Sequence, residues 1–375
     1  MKNKNHVVTV PRMGTMSILV EDWMKRLGID FLPPAPLNNK MIEVGASVSP
    51  EFACFPLKAT IASIMNSADN GADTALMVGG YGPCRFGYYG EVYKVILKEN
   101  GYDKKIKVLT FEPMTSGEGL LNDLHKFFGP LTELSGKSKP TIYWHLARSF
   151  KNAVCMDKIE SMLLSIRAKE KYRGDTQKKY DEAINVLRSA KNDKELAAYH
   201  KTAVSIMNSV ELDPERKTFK VGIVGEFYVI MEPFINMNVE RLLNELGIEI
   251  ERAIYITDWT GPKNAEKVAG INNFDSHNLA KPWIDSWCGG DYTANVGHAI
   301  HYINEGIDGI IHLYPFGCMP DIMALEALEI ITDEAHMPFL SIQIDEKTGQ
   351  AGVITRLQAF TNIVRKETEE IWHAI

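Results

Sequence analysis

The sequence contains no run of about 18 uncharged apolar residues, so it predicts no membrane-spanning helix. It has only five cysteines in 375 residues, an odd number that disfavours a complete disulfide framework. Basic residues are outnumbered, 41 against 48 acidic, and a net charge of −7 argues against nucleic-acid binding as the main function. The apolar run at residues 7–10 is too short for a signal peptide. We therefore expect a cytoplasmic protein that binds neither membranes nor nucleic acid.

Three familiar motifs are also missing. No Gly-x-x-x-x-Gly-Lys-Ser/Thr P-loop occurs, so any ATP hydrolysis would belong to a partner. Residues 221–226 (VGIVGE) lack a full Gly-x-Gly-x-x-Gly fingerprint, which leaves little support for dinucleotide binding. No Cys-x-x-Cys pair is present, which excludes zinc-ribbon and ferredoxin-type motifs.

Hydrophobic patterning divides the chain into three parts. Short apolar runs alternate with helical spacing in the first and last thirds, and this alternation is typical of parallel sheets. The expected elements there include strands at residues 74–78 and 250–257 and a helix at residues 89–99. Residues 142–210 show long amphipathic helical patterns instead, among them residues 175–187 and 193–207. The sequence thus predicts an α/β fold of two flavodoxin- or Rossmann-like lobes with parallel sheets joined by a helical segment. The expected boundaries are residues 1–140 for the first lobe, 141–217 for the helical segment and 218–375 for the second lobe.

Three cysteines share a similar setting. Cys54 precedes an expected helix, whereas Cys84 and Cys318 each follow an expected strand, in surroundings rich in glycine, proline and aromatic residues. Strand, glycine-rich turn, cysteine and helix follow one another near residues 77–84 and again near 311–318. Ligands of open α/β sheets bind beyond the carboxyl ends of the strands, and thiolates bind soft metals and iron–sulfur clusters. The alternative is three buried cysteines beside ordinary glycine turns.

The other two cysteines carry less information. Cys155 lies on an expected amphipathic helix, where core packing is the favoured interpretation. Cys288 lies in a glycine turn before a helix. It is a candidate fourth metal ligand or substrate-loop residue, although a non-ligand role is favoured.

Six further polar residues are candidates for catalysis or ligand binding. Arg85 could balance the charge of a metal centre or bind an anionic substrate, or else form an ordinary ion pair. Tyr88, Tyr89 and Glu91 could donate protons or simply begin a helix. His312 could be a proton carrier or a satisfied core histidine. Glu226 follows an expected strand and could face the ligand crevice, although a structural role is favoured.

Residues 50–58 (PEFACFPLK), 79–90 and 314–320 (YPFGCMP) resemble the 2-hydroxyacyl-CoA dehydratase D-component superfamily. The resemblance is to the branch related to CoA-substrate-specific enzyme activases and double-cubane cluster proteins. Residues 225–228 (GEFY), 232–234 (EPF) and 255–259 (YITDW) are also similar to that branch. The likeness extends over nearly the whole chain.

The resemblance implies a cofactor and partners. It places a [4Fe–4S] cluster between the two lobes on Cys54, Cys84 and Cys318, with the fourth iron open to water, substrate or another group. A dimeric activator that hydrolyses ATP would supply single electrons for a difficult reduction or radical elimination on an acyl-CoA. Relatives with a double-cubane [8Fe–9S] cluster use six cysteines, so the five present here put that cluster in doubt. A homodimer, or a heterodimer with a related subunit, is also implied.

Three classes of function therefore stay open. The first is an oxygen-sensitive, ATP-dependent reductase or dehydratase-like component that acts on a small molecule. The second is an electron-relay or scaffold subunit without its own substrate. The third is a metal-free, two-lobed small-molecule binding protein.

Overall fold

The computed structural model describes residues 6–79, 84–111, 120–190, 192–260, 275–284 and 289–374. The chain divides into two compact units, Met1–Lys151 and Asn152–Ile375. Each unit contains a four-stranded sheet in which every neighbouring pair of strands is parallel. The predicted α/β fold, with two parallel sheets separated by a helical segment, is confirmed. The three-part division at residues 140 and 217 stays a prediction.

The first sheet has the strand order β2-β1-β3-β4. Its strands are β1 (Val7–Thr9), β2 (Asp30–Phe31), β3 (Thr74–Val78) and β4 (Lys107–Phe111). The helices of this unit are α1 (Met16–Leu27), α2 (Asn39–Val48), α3 (Phe55–Asp69), α4 (Tyr89–Glu99) and α5 (Leu120–Ser135). A 3₁₀ turn, Arg85–Tyr88, leads directly into α4. The strand order reverses its direction between β1 and β3. Ligands of such sheets bind at this switch point.

Two apolar clusters form the core of this unit. One includes Trp23, Met24 and Phe128 and packs around Val8. The other includes Ile61, Ile64 and Tyr93 and packs around Ala75 and Met77. Strands buried against helical side chains are expected to be continuous apolar runs, and β3 (TALMV) is one.

The helical segment comprises α6 (Lys139–Lys169), α7 (Asp175–Arg188) and α8 (Asp193–Asn208). Helices α7 and α8 begin close to the positions expected from their amphipathic patterns, residues 175 and 193. Asn192 caps α8 by accepting a hydrogen bond from the Glu195 amide. None of the helices within the described residues is long and apolar enough to cross a membrane.

The second sheet has the order β6-β5-β7-β8, which repeats the connectivity of the first sheet. Its strands are β5 (Phe219–Gly225), β6 (Ile248–Arg252), β7 (Gly309–Pro315) and β8 (Phe339–Ile344). The helices of this unit, after α8, are α9 (Phe227–Met231), α10 (Val239–Glu245), α11 (Ile256–Thr260), α12 (Ser276–Ala280), α13 (Tyr292–Asn304), α14 (Met319–Glu334) and α15 (Gln350–Ala374). The switch point of this sheet lies between β5 and β7.

The prediction of a strand at residues 250–257 is wrong for its second half, because β6 ends at Arg252. The Asp258 carboxylate accepts a hydrogen bond from the Tyr255 amide at 2.9 Å. The Thr257 amide donates to the Asp157 carboxylate, also at 2.9 Å. Side chains therefore satisfy these amides in place of a neighbouring strand, and the chain turns into α11.

Candidate functional site

Cys54, Cys84 and Cys318, which share a similar sequence setting, each lie immediately before a helix or 3₁₀ turn. Cys54 is the N-cap of α3, Cys84 of the 3₁₀ turn before α4, and Cys318 of α14. Each has an extended backbone, and none of the three side chains caps its own helix. Unpaired amides and the positive end of the helix dipole favour a negative charge at such positions. The local structure thus suits thiolate ligands.

Cys84 and Cys318 occupy equivalent places in the two units. Cys84 comes after β3 and Cys318 after β7, and each of these is the third strand along the chain in its sheet. The sequence pattern that recurs near residues 77–84 and 311–318 thus coincides with a repeated topology. In each unit the cysteine follows a strand that borders the switch point.

Cys54 belongs to the same unit as Cys84 and is buried. Its Sγ lies 2.6 Å from the hydroxyl oxygen of Tyr89, the first residue of α4. Lys58, one turn into α3, is also buried, with 3% of its surface exposed.

Arg85 joins the two cysteine segments of the first unit. Its Nη1 donates a hydrogen bond to the Phe52 carbonyl at 2.9 Å, and its guanidinium lies 5.7 Å from the centre of the Phe52 ring. Tyr88 is exposed, and the Glu91 carboxylate pairs with Lys94 at 2.5 Å on the surface. The structure thus gives Arg85 a role in holding the segment before Cys54.

Cys318 begins a hydrogen-bonded chain of buried side chains. Its Sγ donates to Asp321 Oδ2 at 2.9 Å. Asp321 Oδ1 lies 3.3 Å from His312 Nε2 and accepts a hydrogen bond from Asn295 Nδ2 at 2.9 Å. The Asn295 side chain in turn accepts a hydrogen bond from the Gly225 amide at 2.9 Å, at the end of β5. His312 is thereby connected to Cys318 through one carboxylate.

Further carboxyl groups surround this edge of the second sheet. The Glu226 side chain caps α9, and Asp291 accepts a hydrogen bond from the Phe227 amide at 3.3 Å. Burial, followed by repulsion from Asp321, raises the pKa of Asp291 to about 7 and also raises that of Glu226. Burial and the nearby Asp321 and Glu226 carboxyls raise the pKa of the Cys318 thiol. A bound metal would be needed to hold Cys318 as a thiolate at neutral pH.

Of the two remaining cysteines, only Cys155 lies within the described residues. Burial raises the pKa of the Cys155 thiol to about 11, so this side chain on α6 is a neutral thiol near pH 7. Cys288 lies outside the described residues, as do residues 80–83 of the segment before Cys84.

Sequence reasoning missed several of the contacts that the structure gives to the cysteines. Asp321 was detectable, because a Cys-x-x-Asp spacing at a helix start places both side chains on the first turn. Tyr89 was a candidate proton donor, but its contact with Cys54 was not predicted, since the two residues are 35 positions apart along the chain. The position of Asn295 was not predicted either, because it depends on the packing of separate elements.

The cysteines fit an iron–sulfur cluster in donor type and local backbone. No group of three His, Cys, Asp or Glu side chains suited to a single metal ion occurs within the part of the chain that the structure describes. A site for one isolated ion is thus not assembled there. Thiolates are the usual ligands of iron–sulfur clusters, one on each cluster iron, so the donor type of the cysteines is suitable for such a cluster.

Comparison with known proteins adds no further assignment. No protein-family model matches the chain, and no curated protein matches it significantly.

Proposed function

We propose that this chain is an iron–sulfur protein of the 2-hydroxyacyl-CoA dehydratase type, with a [4Fe–4S] cluster bound by Cys54, Cys84 and Cys318. The cluster accepts low-potential electrons from an ATP-hydrolysing activator, in the cytoplasm. The substrate is a small molecule, with an acyl-CoA as the first candidate. The observation that carries the proposal is the equivalent placement of Cys84 and Cys318, each as a helix N-cap after the third strand of its sheet.

The residues around the cysteines suit this chemistry. When bound, the cluster supplies single electrons at low potential, which ordinary donors cannot provide. The helix N-terminus favours a thiolate at Cys54, whereas bound iron would have to hold Cys318 as a thiolate against the carboxyls around it. Asp291, with its pKa raised to about 7, carries a proton on its carboxyl group in about half of the molecules at neutral pH. This carboxyl is therefore available as a proton source at the edge of the second sheet.

Serine variants of the cysteines test the ligand assignment. Cys54→Ser, Cys84→Ser and Cys318→Ser should each lose most of the bound iron and the absorption band of the cluster, because serine is a poor iron–sulfur ligand. Cys155→Ser is the matched control and should keep both, since the Cys155 thiol is neutral and stands apart from the helix starts. Iron that is retained in all three ligand variants would contradict the proposal.

Turnover separates the enzyme from an electron relay. An enzyme converts an acyl-CoA when the chain, an activator and ATP are combined without oxygen. A relay or scaffold subunit shows reduction of its cluster under the same conditions, but no product.

A further inference from the structure

The Tyr89 hydroxyl is in polar contact with Cys54, a proposed cluster ligand of the first unit. Its hydroxyl oxygen lies 2.6 Å from Cys54 Sγ, and both side chains are buried, with 2% of Tyr89 and 9% of Cys54 exposed. A thiolate that binds iron has no proton to give. The hydroxyl must therefore be the donor whenever Cys54 is a ligand.

Aromatic packing holds the Tyr89 ring in place. The ring packs against those of Phe86 and Tyr93, with centroids 5.2 Å and 5.8 Å away. Tyr89 is also the first residue of α4, which begins directly after the 3₁₀ turn that Cys84 caps. The segment that carries Cys84 thereby delivers the hydrogen bond to Cys54.

We infer that Tyr89 is a positioning residue of the cluster, whose hydroxyl donates a hydrogen bond to Cys54 Sγ and raises the reduction potential. This inference rests on the proposed function. Hydrogen bonds to ligand sulfurs are among the groups that set the potential of an iron–sulfur cluster. A reduced cluster carries one more negative charge than an oxidised one. A buried donor to its sulfur consequently stabilises the reduced form more.

Tyr93 provides a matched control. It lies one turn further along α4 and is fully buried, but its hydroxyl is bonded to the Thr60 hydroxyl instead of a cysteine. Replacement of either tyrosine by phenylalanine keeps the ring and removes one buried hydroxyl. Only Tyr89→Phe removes the bond to Cys54.

The experiment is a redox titration of the full-length chain, purified without oxygen and followed by electron paramagnetic resonance. Tyr89→Phe should lower the equilibrium constant for one-electron reduction about tenfold, a shift of about 59 mV to lower potential. Tyr93→Phe should leave the potential close to that of the unaltered protein. Tyr89→Phe protein that is folded but has lost its iron, with iron kept in Tyr93→Phe, would also support the positioning role.

If the Tyr89→Phe chain does not fold, a second substitution with the opposite expected effect on the reduction potential takes its place. Incorporation of 3-fluorotyrosine at position 89 keeps the ring and makes the hydroxyl more acidic, so the donor is stronger and the potential should rise. An unchanged potential, or an equal shift in the Tyr89 and Tyr93 variants, would overturn the inference while the cluster itself stands. Unaltered protein that binds no iron would instead reject the proposed function, and the inference with it.

Discussion

Buried polar residues of this protein have neighbours that their local sequence does not reveal. Asp157 on α6 is fully buried, and its Oδ2 accepts hydrogen bonds from the Thr257 amide at 2.9 Å and the Thr257 hydroxyl at 2.5 Å. Its Oδ1 has no hydrogen-bond partner among the described residues. Burial, followed by the nearby Glu160, raises the pKa of Asp157 from 3.8 to about 8. Asp157 is therefore a neutral acid at pH 7.

This raised pKa predicts how stability depends on pH. Folded protein keeps the Asp157 proton up to about pH 8, whereas unfolded protein releases it near pH 4, so the free energy of unfolding falls as pH rises between these values. Asp157→Asn mimics the neutral acid and should remove this dependence. We expect the variant to be more stable than the unaltered protein at pH 9, by several kcal/mol at about 1.4 kcal/mol per pKa unit, and similar at pH 4.

Denaturant unfolding at a series of pH values measures the effect. Asp103→Asn is the control, since Asp103 is exposed in a turn, and its pH profile should match that of the unaltered protein. A profile for Asp157→Asn that runs parallel to the unaltered one would contradict the assignment.

At this scale the sequence predicted local backbone settings better than contacts. The local patterns placed Cys54 at a helix start and Cys84 and Cys318 after strands, because such positions depend on neighbouring residues; the structure also makes Cys84 and Cys318 N-caps. The partners Tyr89 and Asn295 could not be predicted, because each depends on the packing of elements far apart along the chain.

At the scale of elements, the position of α3 depends on a close approach to α2. A Cβ atom added to Gly45 on α2 would lie 1.9 Å from the backbone carbonyl oxygen of Lys58 on α3. Only glycine lets the two helices come this close. Because α3 begins at Cys54, this contact also determines where the Cys54 thiol lies.

Gly45→Ala should therefore destabilise the first unit. A methyl group cannot fit without a shift of α2 away from α3, and overpacking of this kind costs about 1–3 kcal/mol. Gly352→Ala is the control, because Gly352 lies in α15 with open space around it and should be stabilised by about 0.5–1 kcal/mol. Thermal unfolding of both variants checks the pair. A Gly45→Ala protein as stable as the unaltered one would show that the helices do not approach in this way.

Elements were predicted well where their patterns are local. Strand β3 and helix α4 have the expected bounds, residues 74–78 and 89–99. Helix α2 was not predicted, since Gly45 weakens its helical pattern, and its stability comes from packing on α3. The wrong end of the strand at residues 250–257 has a similar origin, because the Asp157 side chain that redirects the chain lies a hundred residues away.

At the scale of the whole molecule, the repeated strand order is the main structural support for the proposed ligands. Two four-stranded sheets share one connectivity, and a cysteine follows the third strand of each. The first unit contributes Cys54 and Cys84 to the proposed set, and the second unit contributes Cys318. The proposal thus gives one chain one set of three ligands, whereas a double-cubane cluster needs six cysteines and the chain has five.

The ratio of iron and acid-labile sulfide to protein, measured on the unaltered chain purified without oxygen, tests this claim most directly. One [4Fe–4S] cluster corresponds to about four irons and four sulfides per chain. About eight irons would contradict a single cluster and bring Cys288 or non-cysteine ligands into the site. A chain that holds no iron, even after incubation with iron and sulfide, would contradict the iron–sulfur function as a whole and favour a metal-free binding protein.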